Sequence, residues 1–326
     1  DRRAGEGLER YRVLVVGMAF VASGRGFGVA GARPVGCARR PRCVPRASMR
    51  DESALELDRA LKLLKSKGEG AVEGPGAVYL VGTGPGDPQL LTLRAVQLMA
   101  SADVVLYDRL VSNDILRYVH GGARMIYVGK EKGFHTRRQE EIHDLLFQFA
   151  EAGGSILRLK GGDPYIFGRG GEELEYLEKR GIEVTCVPGI TAAQGIGAEL
   201  GIPMTHRGIA TSVRYITGHL REGGGEIEET FASAADEHTT LVVYMGLSNL
   251  PGLTRCLRDN GMDGCVPAVA VERGTLADQR VVFARLKDLC EAVDGAELKS
   301  PTLIVIGHVV ALSRKWHEAM STTSDA

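Results

Sequence analysis

The sequence lacks the cysteine and histidine patterns by which metal sites are recognised. Its 326 residues include six cysteines and eight histidines, but no C-x-x-C pair, no zinc-binding spacing and no H-E-x-x-H motif. The cysteines are scattered along the chain, as is typical of proteins from a reducing compartment. We therefore expect a protein that uses no metal ion.

The sequence also lacks an excess of charge of either sign. It has 40 lysines and arginines against 41 aspartates and glutamates, so the formal net charge is −1 at pH 7. Such a chain creates no overall field that would attract nucleic acid or an anionic membrane. Hydrophobic residues make up 44% of the sequence, which is ample for one large domain or two modest ones. Recognition of an anion must then depend on a local cluster of basic side chains.

Residues 11–50 contain no acidic residue and no lysine, although they include eight arginines and three prolines. This composition is typical of an organelle transit peptide. The apolar run at 13–21 is too short and too interrupted to span a bilayer. The alternative is a basic domain that binds nucleic acid, but the lysines and aromatic residues of such a domain are scarce here. We predict a transit peptide over 1–50, followed by a charged helix and a glycine-rich linker over 51–75.

A complete dinucleotide-binding motif is absent too, although residues 78–88 come close to one. This stretch, V-Y-L-V-G-T-G-P-G-D-P, is an apolar run that ends in a glycine-rich turn. Counted from Gly82, the third glycine of G-x-G-x-x-G falls on Asp87; counted from Gly84, it falls on Gln89. A pyrophosphate would meet the Asp87 carboxylate, so a ligand without phosphates, especially one with a positive centre, suits this turn better. We also expect Asp87 to cap the helix that follows.

From residue 77 onward, short β-branched runs alternate with helical patterns, which predicts a largely parallel sheet with crossover helices. The predicted strands are 77–82, 103–107, 124–128, 155–159 and 182–187, and the predicted helices are 88–100, 138–152, 171–180 and 191–200. The helix at 138–152 has a regular apolar stripe.

After about residue 203 the pattern changes to more strands and fewer helices. The predicted strands are 212–217, 240–245, 267–271, 280–284 and 301–307, and 221–238 is predicted to be an exposed loop. We therefore predict an α/β fold of two subdomains. A mostly parallel sheet occupies 76–202, a mixed sheet occupies 203–315, and 316–326 is a tail.

Polar residues and glycines follow each of five successive predicted strands. They are Gly82–Asp87, Asp108, Lys130, Gly161–Asp163 and Pro188–Thr191. In an open α/β sheet, ligands bind at the carboxyl ends of the strands. Glycine and aspartate are common in any turn, so each group alone could be turn chemistry. Together they favour a binding site.

Eight motifs keep their order and spacing over residues 76–315. They are V-G-T-G-P-G-D from 81, L-Y-D-R-L-V-S from 106, V-G-K from 128, L-K-G-G-D-P-Y-I-F-G-R-G-G-E-E from 159, V-P-G-I-T-A from 187, G-I-P-M-T-H-R from 201, V-Y-M-G from 243 and V-E-R-G-T from 271. With these motifs the region resembles the tetrapyrrole methylases, most closely the members that act on uroporphyrinogen III.

The resemblance implies a cofactor cleft between two α/β subdomains and an S-adenosylmethionine-dependent methyl transfer. The implied reaction methylates C2 and C7 of uroporphyrinogen III and gives precorrin-2 for siroheme synthesis. The matching cofactor contacts are Pro85, Gly161, Gly162, Asp163, Ile166, Thr191, Ala192, Met245 and Gly274. A sulfonium cofactor carries no phosphate, which agrees with the chemistry of the turn at Asp87. Ile166 and Met245 would line the cleft, or both could be ordinary core.

The resemblance also assigns Asp108 as proton acceptor and Lys130 as proton donor. An electron-rich pyrrole carbon that takes up a methyl group leaves a ring system that must lose a proton, and a carboxylate can accept it. A lysine whose pKa is lowered by burial could return a proton or stabilise charge. The alternatives are a surface ion pair between Asp108 and Arg109, and a solvated strand end at Lys130.

A substrate ringed with carboxylates requires guanidinium groups. The candidates within or just after the matched motifs are Arg109, Arg169, Arg207, Arg214 and His219, with Glu172 orienting one of them or accepting a hydrogen bond from a pyrrole N–H. The alternative for each is a structural salt bridge.

The resemblance further implies a homodimer. Together with the arginine-rich front segment, the similarity to plant and algal members indicates a plastid location. We expect neither a nucleic acid nor a membrane as partner. Two rival hypotheses are methylation of a later corrin precursor and a noncatalytic nucleotide-binding or RNA-binding module.

Overall fold

Strands and helices alternate along the chain, as the sequence pattern predicts. The computed structural model describes residues 75–129, 138–218 and 225–323. Within these ranges the strands are β1 (Val78–Gly82), β2 (Val104–Tyr107), β3 (Arg124–Tyr127), β4 (Ile156–Lys160), β5 (Val184–Val187), β6 (Ser212–Thr217), β7 (Thr239–Tyr244), β8 (Pro267–Glu272), β9 (Arg280–Arg285) and β10 (Thr302–Ile306). The predicted strand positions are confirmed to within one or two residues.

The helices connect these strands and cover their faces. They are α1 (Leu93–Met99), α2 (Asn113–Leu116), α3 (Gln139–Glu151), α4 (Gly170–Glu178), α5 (Ala192–Leu200), α6 (Gly225–Ala232), α7 (Leu250–Asp259), α8 (Leu289–Gly295) and α9 (Arg314–Thr323), with short 3-10 helices at Pro88–Leu90, Leu247–Asn249 and His308–Leu312. In the described part of the chain, no helix combines the length and the apolar character needed to cross a bilayer.

The first five strands form one parallel sheet in the order β3-β2-β4-β1-β5. Parallel neighbours require crossover connections, and the helices that make them bury both faces of the sheet. All five residues of β4 are therefore buried, in agreement with its central place. This order also puts β1 between β4 and β5, so the loops that follow these three strands leave the sheet side by side.

The last five strands form a second sheet in the order β6-β7-β10-β8-β9. Only β6 and β7 run parallel, whereas β10 lies antiparallel to both of its neighbours, and β8 lies antiparallel to β9. The predicted mixed sheet is confirmed. Its central strand, β10, is buried along its whole length.

Helix α3 shows how the apolar stripe determines the packing. Ile142, Leu145, Leu146 and Phe149 recur at helical spacing, and all four are buried against the first sheet. At the first turn, the Glu141 carboxylate accepts a hydrogen bond from the helix-capping residue. Burial of the Phe149 side chain, which is fully enclosed, stabilises the fold by about 1.5–3 kcal/mol.

The predicted helix at 88–100 is interrupted. Asp87 caps only a 3-10 turn, because its carboxylate accepts from the Gln89 amide at 2.8 Å. The α-helix begins later, where the Thr92 hydroxyl accepts from the Ala95 amide at 3.1 Å. The capping role of Asp87 is thus confirmed, and a second cap starts the longer helix.

The predicted exposed loop at 221–238 is wrong, since Gly225–Ala232 forms α6. Its acidic residues hide the helical pattern, but Phe231 packs into the core with Leu253 and Leu257 of α7. Within the described ranges this half has four α-helices against five in the first, as predicted, but it has five strands like the first half and is not richer in strands. Helix α9 likewise covers most of the predicted tail, and Trp316 is buried beside Phe283.

Helix α5 joins the two sheets. It follows β5, yet Ala193, Ile196 and Leu200 pack against the second sheet with Val242 and Val305. The helix ends at Gly201, whose φ of +67° suits a glycine cap. The predicted subdomain boundary at 202/203 lies just after this helix and stays a prediction.

Phe231→Ala tests whether α6 belongs to the core. We expect the free energy of unfolding to fall by about 3–5 kcal/mol because a fully buried ring is lost. Leu93→Ala is the control, since that side chain is 83% exposed and its loss should change stability by about 0.5 kcal/mol at most. Urea unfolding of both variants measures the difference. Equal effects would mean that 225–232 behaves as the exposed loop of the sequence prediction.

Candidate functional site

The loops that follow β1, β4 and β5 touch backbone to backbone. Gly84 and Gly162 exchange two hydrogen bonds, with N···O distances of 3.2 and 2.7 Å, and both have φ near +70° (74° and 70°). A Cβ atom on Gly82 would lie 2.5 Å from the Gly189 nitrogen and 2.7 Å from the Gly162 oxygen. Glycine is required here because no side chain fits between the loops.

Asp163 and Thr191 fix the geometry of two of these loops. The Asp163 carboxylate accepts hydrogen bonds from the backbone of Tyr165 at 2.9 Å and of Gly189 at 3.1 Å, so it ties the β4 loop to the β5 loop. The Ile166 amide donates to the Asp163 carbonyl at 3.3 Å. Thr191 is buried and caps α5. Residues of the two loops themselves thus fix the loop conformations by hydrogen bonds.

The second sheet reaches the same place through the end of β7. The Tyr244 hydroxyl accepts a hydrogen bond from the Ala193 amide at 3.3 Å, and its ring centroid lies 5.0 Å from that of Phe167. Burial raises the pKa of Tyr244, so the phenol stays protonated. Met245 follows and is 49% exposed. It is therefore not ordinary core.

The turn between β8 and β9 closes the arrangement. Thr275 accepts a hydrogen bond from the Asp87 amide at 3.3 Å. Gly274 is buried against Ile196 of α5. A Cβ atom on Gly195 would lie 2.6 Å from the Pro85 ring. The turn after β1 thus contacts both α5 and the second sheet.

The structure brings the predicted cofactor residues together where the two sheets meet. These residues are Pro85, Gly161, Gly162, Asp163, Ile166, Thr191, Ala192, Met245 and Gly274. The contacts above connect the five segments that carry them. The residues are therefore not scattered over unconnected surfaces.

Backbone strain is concentrated in the same loops. Among the described residues, six non-glycine residues have positive φ, and five of them are Phe167, Arg169, Met245, Arg273 and Thr275. Each such conformation costs on the order of 1–3 kcal/mol and persists only where the surroundings impose it. Strain of this kind is typical of functional sites.

Asp108 follows β2 and is held on both oxygens. One oxygen accepts from the Leu110 amide at 3.0 Å, and the other accepts from the Arg158 guanidinium at 3.1 Å. The proposed surface pair with Arg109 is wrong, since the partner is the buried Arg158. A Cβ atom on Gly161 would lie 2.7 Å from Leu110, so the Asp108 loop contacts the loop after β4.

A buried cluster of charged side chains, missed by the sequence analysis, lies beside Asp108. It consists of Arg158 and Lys160 on β4 and Glu173 on α4. The Glu173 carboxylate has no exposed surface and lies 2.8 Å from the Lys160 Nζ and 3.5 Å from the Arg158 Nε. Gln139 of α3 also donates to Glu173, at 3.0 Å. The signal was present: two cations interrupt the apolar strand I-L-R-L-K at i and i+2, which puts them on one face.

Burial and charge oppose one another in this cluster. Burial disfavours ionisation of Glu173, but Arg158 and Lys160 together hold its pKa below the usual value. Burial, assisted by the Arg158 charge, lowers the pKa of Lys160. The ionised Glu173 is therefore the anion that holds both cations inside the protein.

The candidate arginines are placed differently. Arg169 forms a two-pronged ion pair with Glu172, at 2.9 and 2.5 Å, and both side chains are half exposed. Arg109 and Arg207 are exposed, the former beside Asp108. Arg214 is not brought together with them. It donates to Ser233, after α6, on the face of the second sheet that packs away from α5.

Two predicted site residues, Lys130 and His219, lie outside the described residues. Within the described ranges, no group of three or more histidine, cysteine, aspartate or glutamate side chains is arranged to hold a metal ion.

Comparison with known proteins identifies close relatives. Residues 77–290 match the family model of the Tetrapyrrole (Corrin/Porphyrin) Methylases. The chloroplastic S-adenosyl-L-methionine-dependent uroporphyrinogen III methyltransferase of Arabidopsis thaliana is 58% identical over 273 residues, which are 82% of this chain and 74% of that one. The siroheme synthase of Azotobacter vinelandii is 48% identical over 262 residues, 79% of this chain and 56% of that protein. This chain thus spans about half the length of the siroheme synthases that it matches.

A solved structure is similar as well. It is the uroporphyrin-III C-methyltransferase of Thermus thermophilus complexed with S-adenyl homocysteine, with a TM-score of 0.61 and 41% identity. The match covers 72% of this chain and 93% of that one.

Glu173→Gln tests the buried charge cluster through its pH dependence. At pH 7 we expect a loss of about 3–5 kcal/mol, because two buried cations lose their anion. The folded pKa of Glu173 lies below its usual 4.5, so its contribution is complete above about pH 5 and is lost as pH falls through the folded pKa. The difference between variant and wild type should therefore narrow below about pH 4.5.

Urea unfolding at pH 7, 5 and 4 measures this difference. Glu175→Gln is the matched control, since it removes a carboxylate from the exposed face of the same helix, where Glu175 pairs with Lys179. It should have little effect at any of these pH values. A pH-independent loss in Glu173→Gln would contradict the ionised state of Glu173.

Proposed function

Because this chain belongs to the tetrapyrrole methylase family, we propose that it methylates uroporphyrinogen III with S-adenosylmethionine. The proposed reaction transfers methyl groups to C2 and C7 and gives precorrin-2, the precursor of siroheme. The relatives named above support the substrate and the methyl donor by what they are called.

One observation carries the proposal: five segments that contain residues matched to the family motifs converge where the two sheets meet. Backbone contacts between glycines bind three of the segments together. The end of β7 and the turn after β8 complete the set. A random collection of turn residues would not be connected in this way.

The chemistry of the site fits S-adenosylmethionine better than a nucleoside diphosphate. The turn after β1 carries the Asp87 carboxylate, which would repel phosphates. Asp163 offers a second carboxylate near the centre of the site, suited to a cationic ligand. Ile166 and the half-exposed Met245 offer apolar surface. When bound, S-adenosylmethionine supplies an electrophilic methyl group.

In the proposal Asp108 accepts the proton that the ring system loses after methylation. Its side chain is 23% exposed, so the carboxylate can be reached, and each oxygen keeps room for a further hydrogen bond. A positioned carboxylate of this kind contributes about 10²–10⁴-fold to the rate. Lys130 is proposed to donate a proton, on the strength of the family motif alone.

Arg109, Arg169 and Arg207 are proposed to bind the carboxylates of the substrate, with His219 as a further candidate. Their exposed guanidinium groups can form two parallel hydrogen bonds with a carboxylate. Glu172 holds the Arg169 guanidinium at the start of α4 through two hydrogen bonds. Arg214 is left out of the proposal, because its guanidinium is used within the second half of the chain.

We also propose a plastid location and a homodimer. The Arabidopsis relative is called chloroplastic, and residues 11–50 have the composition of a transit peptide. The homodimer follows from the family resemblance, and light scattering of the purified protein tests it.

Incubation with uroporphyrinogen III and S-adenosylmethionine tests the proposed function. We expect the dimethylated product, which fluoresces red after oxidation, and two equivalents of released S-adenosylhomocysteine. Calorimetry should show binding of S-adenosylmethionine and none of ATP or NAD. Tight ATP binding without methyl transfer would instead support the noncatalytic module, and methylation of a later corrin precursor alone would overturn the substrate assignment.

Arg169→Ala tests the arginine assignment. Loss of a charge-assisted hydrogen bond worth about 1.5–3 kcal/mol should raise KM for uroporphyrinogen III roughly 10- to 100-fold. The Kd for S-adenosylmethionine should stay the same. Arg314→Ala is the control, because Arg314 forms an exposed ion pair with Glu318 on α9. Unchanged KM in Arg169→Ala would remove Arg169 from the site.

A further inference from the structure

We infer that Arg158 is a positioning residue for Asp108 and that Glu173 and Lys160 make this possible. The inference rests on the proposed function, since it concerns the residue proposed to accept the proton. It assigns a task to the buried charge cluster, which no role in binding or proton transfer has so far explained.

The contacts of Arg158 point outward to Asp108 and inward to Glu173. Nη2 donates to Asp108 at 3.1 Å, Nη1 donates to the Leu159 carbonyl at 2.8 Å, and Nε faces Glu173 at 3.5 Å. The side chain is only 5% exposed. Two hydrogen bonds and the nearby Glu173 carboxylate hold the guanidinium in one orientation, and it imposes that orientation on the Asp108 carboxylate.

The contribution of the cluster to the free energy of unfolding does not explain its presence. The Arg158 Nε and one Glu173 oxygen are buried without a hydrogen-bond partner. Buried ion pairs of this kind are often no more stabilising than apolar residues of the same volume. Two neighbouring positions on the same strand, Ile156 and Leu157, are apolar and fully buried. A purely structural requirement at β4 would therefore be met by another aliphatic side chain.

Lys160 explains why Arg158 remains available to Asp108. Glu173 alone would attract the Arg158 guanidinium and compete with Asp108 for it. Lys160 contacts the same Glu173 oxygen at the shorter distance of 2.8 Å. The two cations and two carboxylates balance in charge, and each carboxylate has its own nearest cation.

The consequence for the reaction is geometric. After the methyl group has been transferred, a proton leaves the ring system, its bonding electrons stay on the ring, and the Asp108 carboxylate becomes a carboxylic acid. Proton transfer requires the acceptor oxygen within about 2.6–3.2 Å of its partner atom. A misplacement of about 1 Å costs on the order of 100-fold in rate. Arg158 prevents this misplacement by fixing the rotation of the carboxylate.

A double-mutant cycle between Arg158 and Asp108 tests the inference. Arg158→Met should lower kcat on the order of 100-fold, with KM for uroporphyrinogen III and the calorimetric Kd for S-adenosylmethionine within about twofold of the wild type. Asp108→Asn should lower kcat by about 10²–10⁴-fold. If Arg158 acts through Asp108, adding Arg158→Met to Asp108→Asn lowers kcat less than about twofold further.

Arg158→Lys is a second variant in case Arg158→Met does not fold. It keeps a buried cation beside Glu173 but cannot donate to Asp108 and to the Leu159 carbonyl with one planar group. It should therefore have an intermediate kcat, and this loss too should vanish in the Asp108→Asn background. Arg117→Met is the control, because Arg117 forms an exposed pair with Asp114 and should leave kcat unchanged in both backgrounds.

The measurements separate failure of the inference about Arg158 from failure of the proposed function. Losses that multiply, or a weakened Kd for S-adenosylmethionine in Arg158→Lys, would show a structural role and overturn the inference while the proposed function stands. A wild-type chain that methylates no uroporphyrinogen III would overturn the proposed function itself, which the wild-type assay detects separately.

Discussion

The site depends on the direct contact between the backbones of three loops. The strand order places β1 between β4 and β5, so these loops emerge side by side. Because Gly82 and Gly189 have no side chains, the three loops lie in direct backbone contact, and Gly84 and Gly162 exchange two hydrogen bonds. Asp163 ties the loop after β4 to the loop after β5, and α5 begins directly after the loop that follows β5.

Electrostatics adds a second constraint beneath the loops. A chain with almost no net charge buries two cations and one anion on and beside the central strand of its parallel sheet. These groups are costly to desolvate, so their placement requires accurate compensation. Their connection to Asp108 through Arg158 links the protein interior to the sheet edge that carries the candidate site. Here the same strand provides packing on one face and charge on the other.

Much of the architecture could be predicted because strands in buried sheets have strong local signals. Every predicted strand is present, and the stripe of α3 identified a real buried face. The failures have physical causes. Helix α6 is short and rich in acidic residues, a composition that resembles an exposed loop, although Phe231 packs into the core. Thr92 restarts a helix that sequence patterns could only treat as continuous.

The sequence motifs predicted which residues belong to the candidate site, but they did not predict the contacts between these residues. Motifs marked the strand ends, and the topology brought them together. The partner of Asp108 could not be predicted, because Arg158 lies 50 positions away in sequence and becomes a neighbour only through the pairing of β2 with β4. Long-range pairing of charges is a property of topology, and a single sequence contains no direct record of it.

The contact between Pro85 and Gly195 has a consequence for how such proteins can diverge. A single added methyl at Gly195 would collide with the Pro85 ring, and Gly274 faces Ile196 in the same way. A larger side chain at one residue of such a contact requires a smaller side chain at the other. Ile196 lies in the first half and Gly274 in the second, so the two halves cannot accumulate substitutions independently at this contact, and homologous chains should exchange large and small residues there in matched pairs.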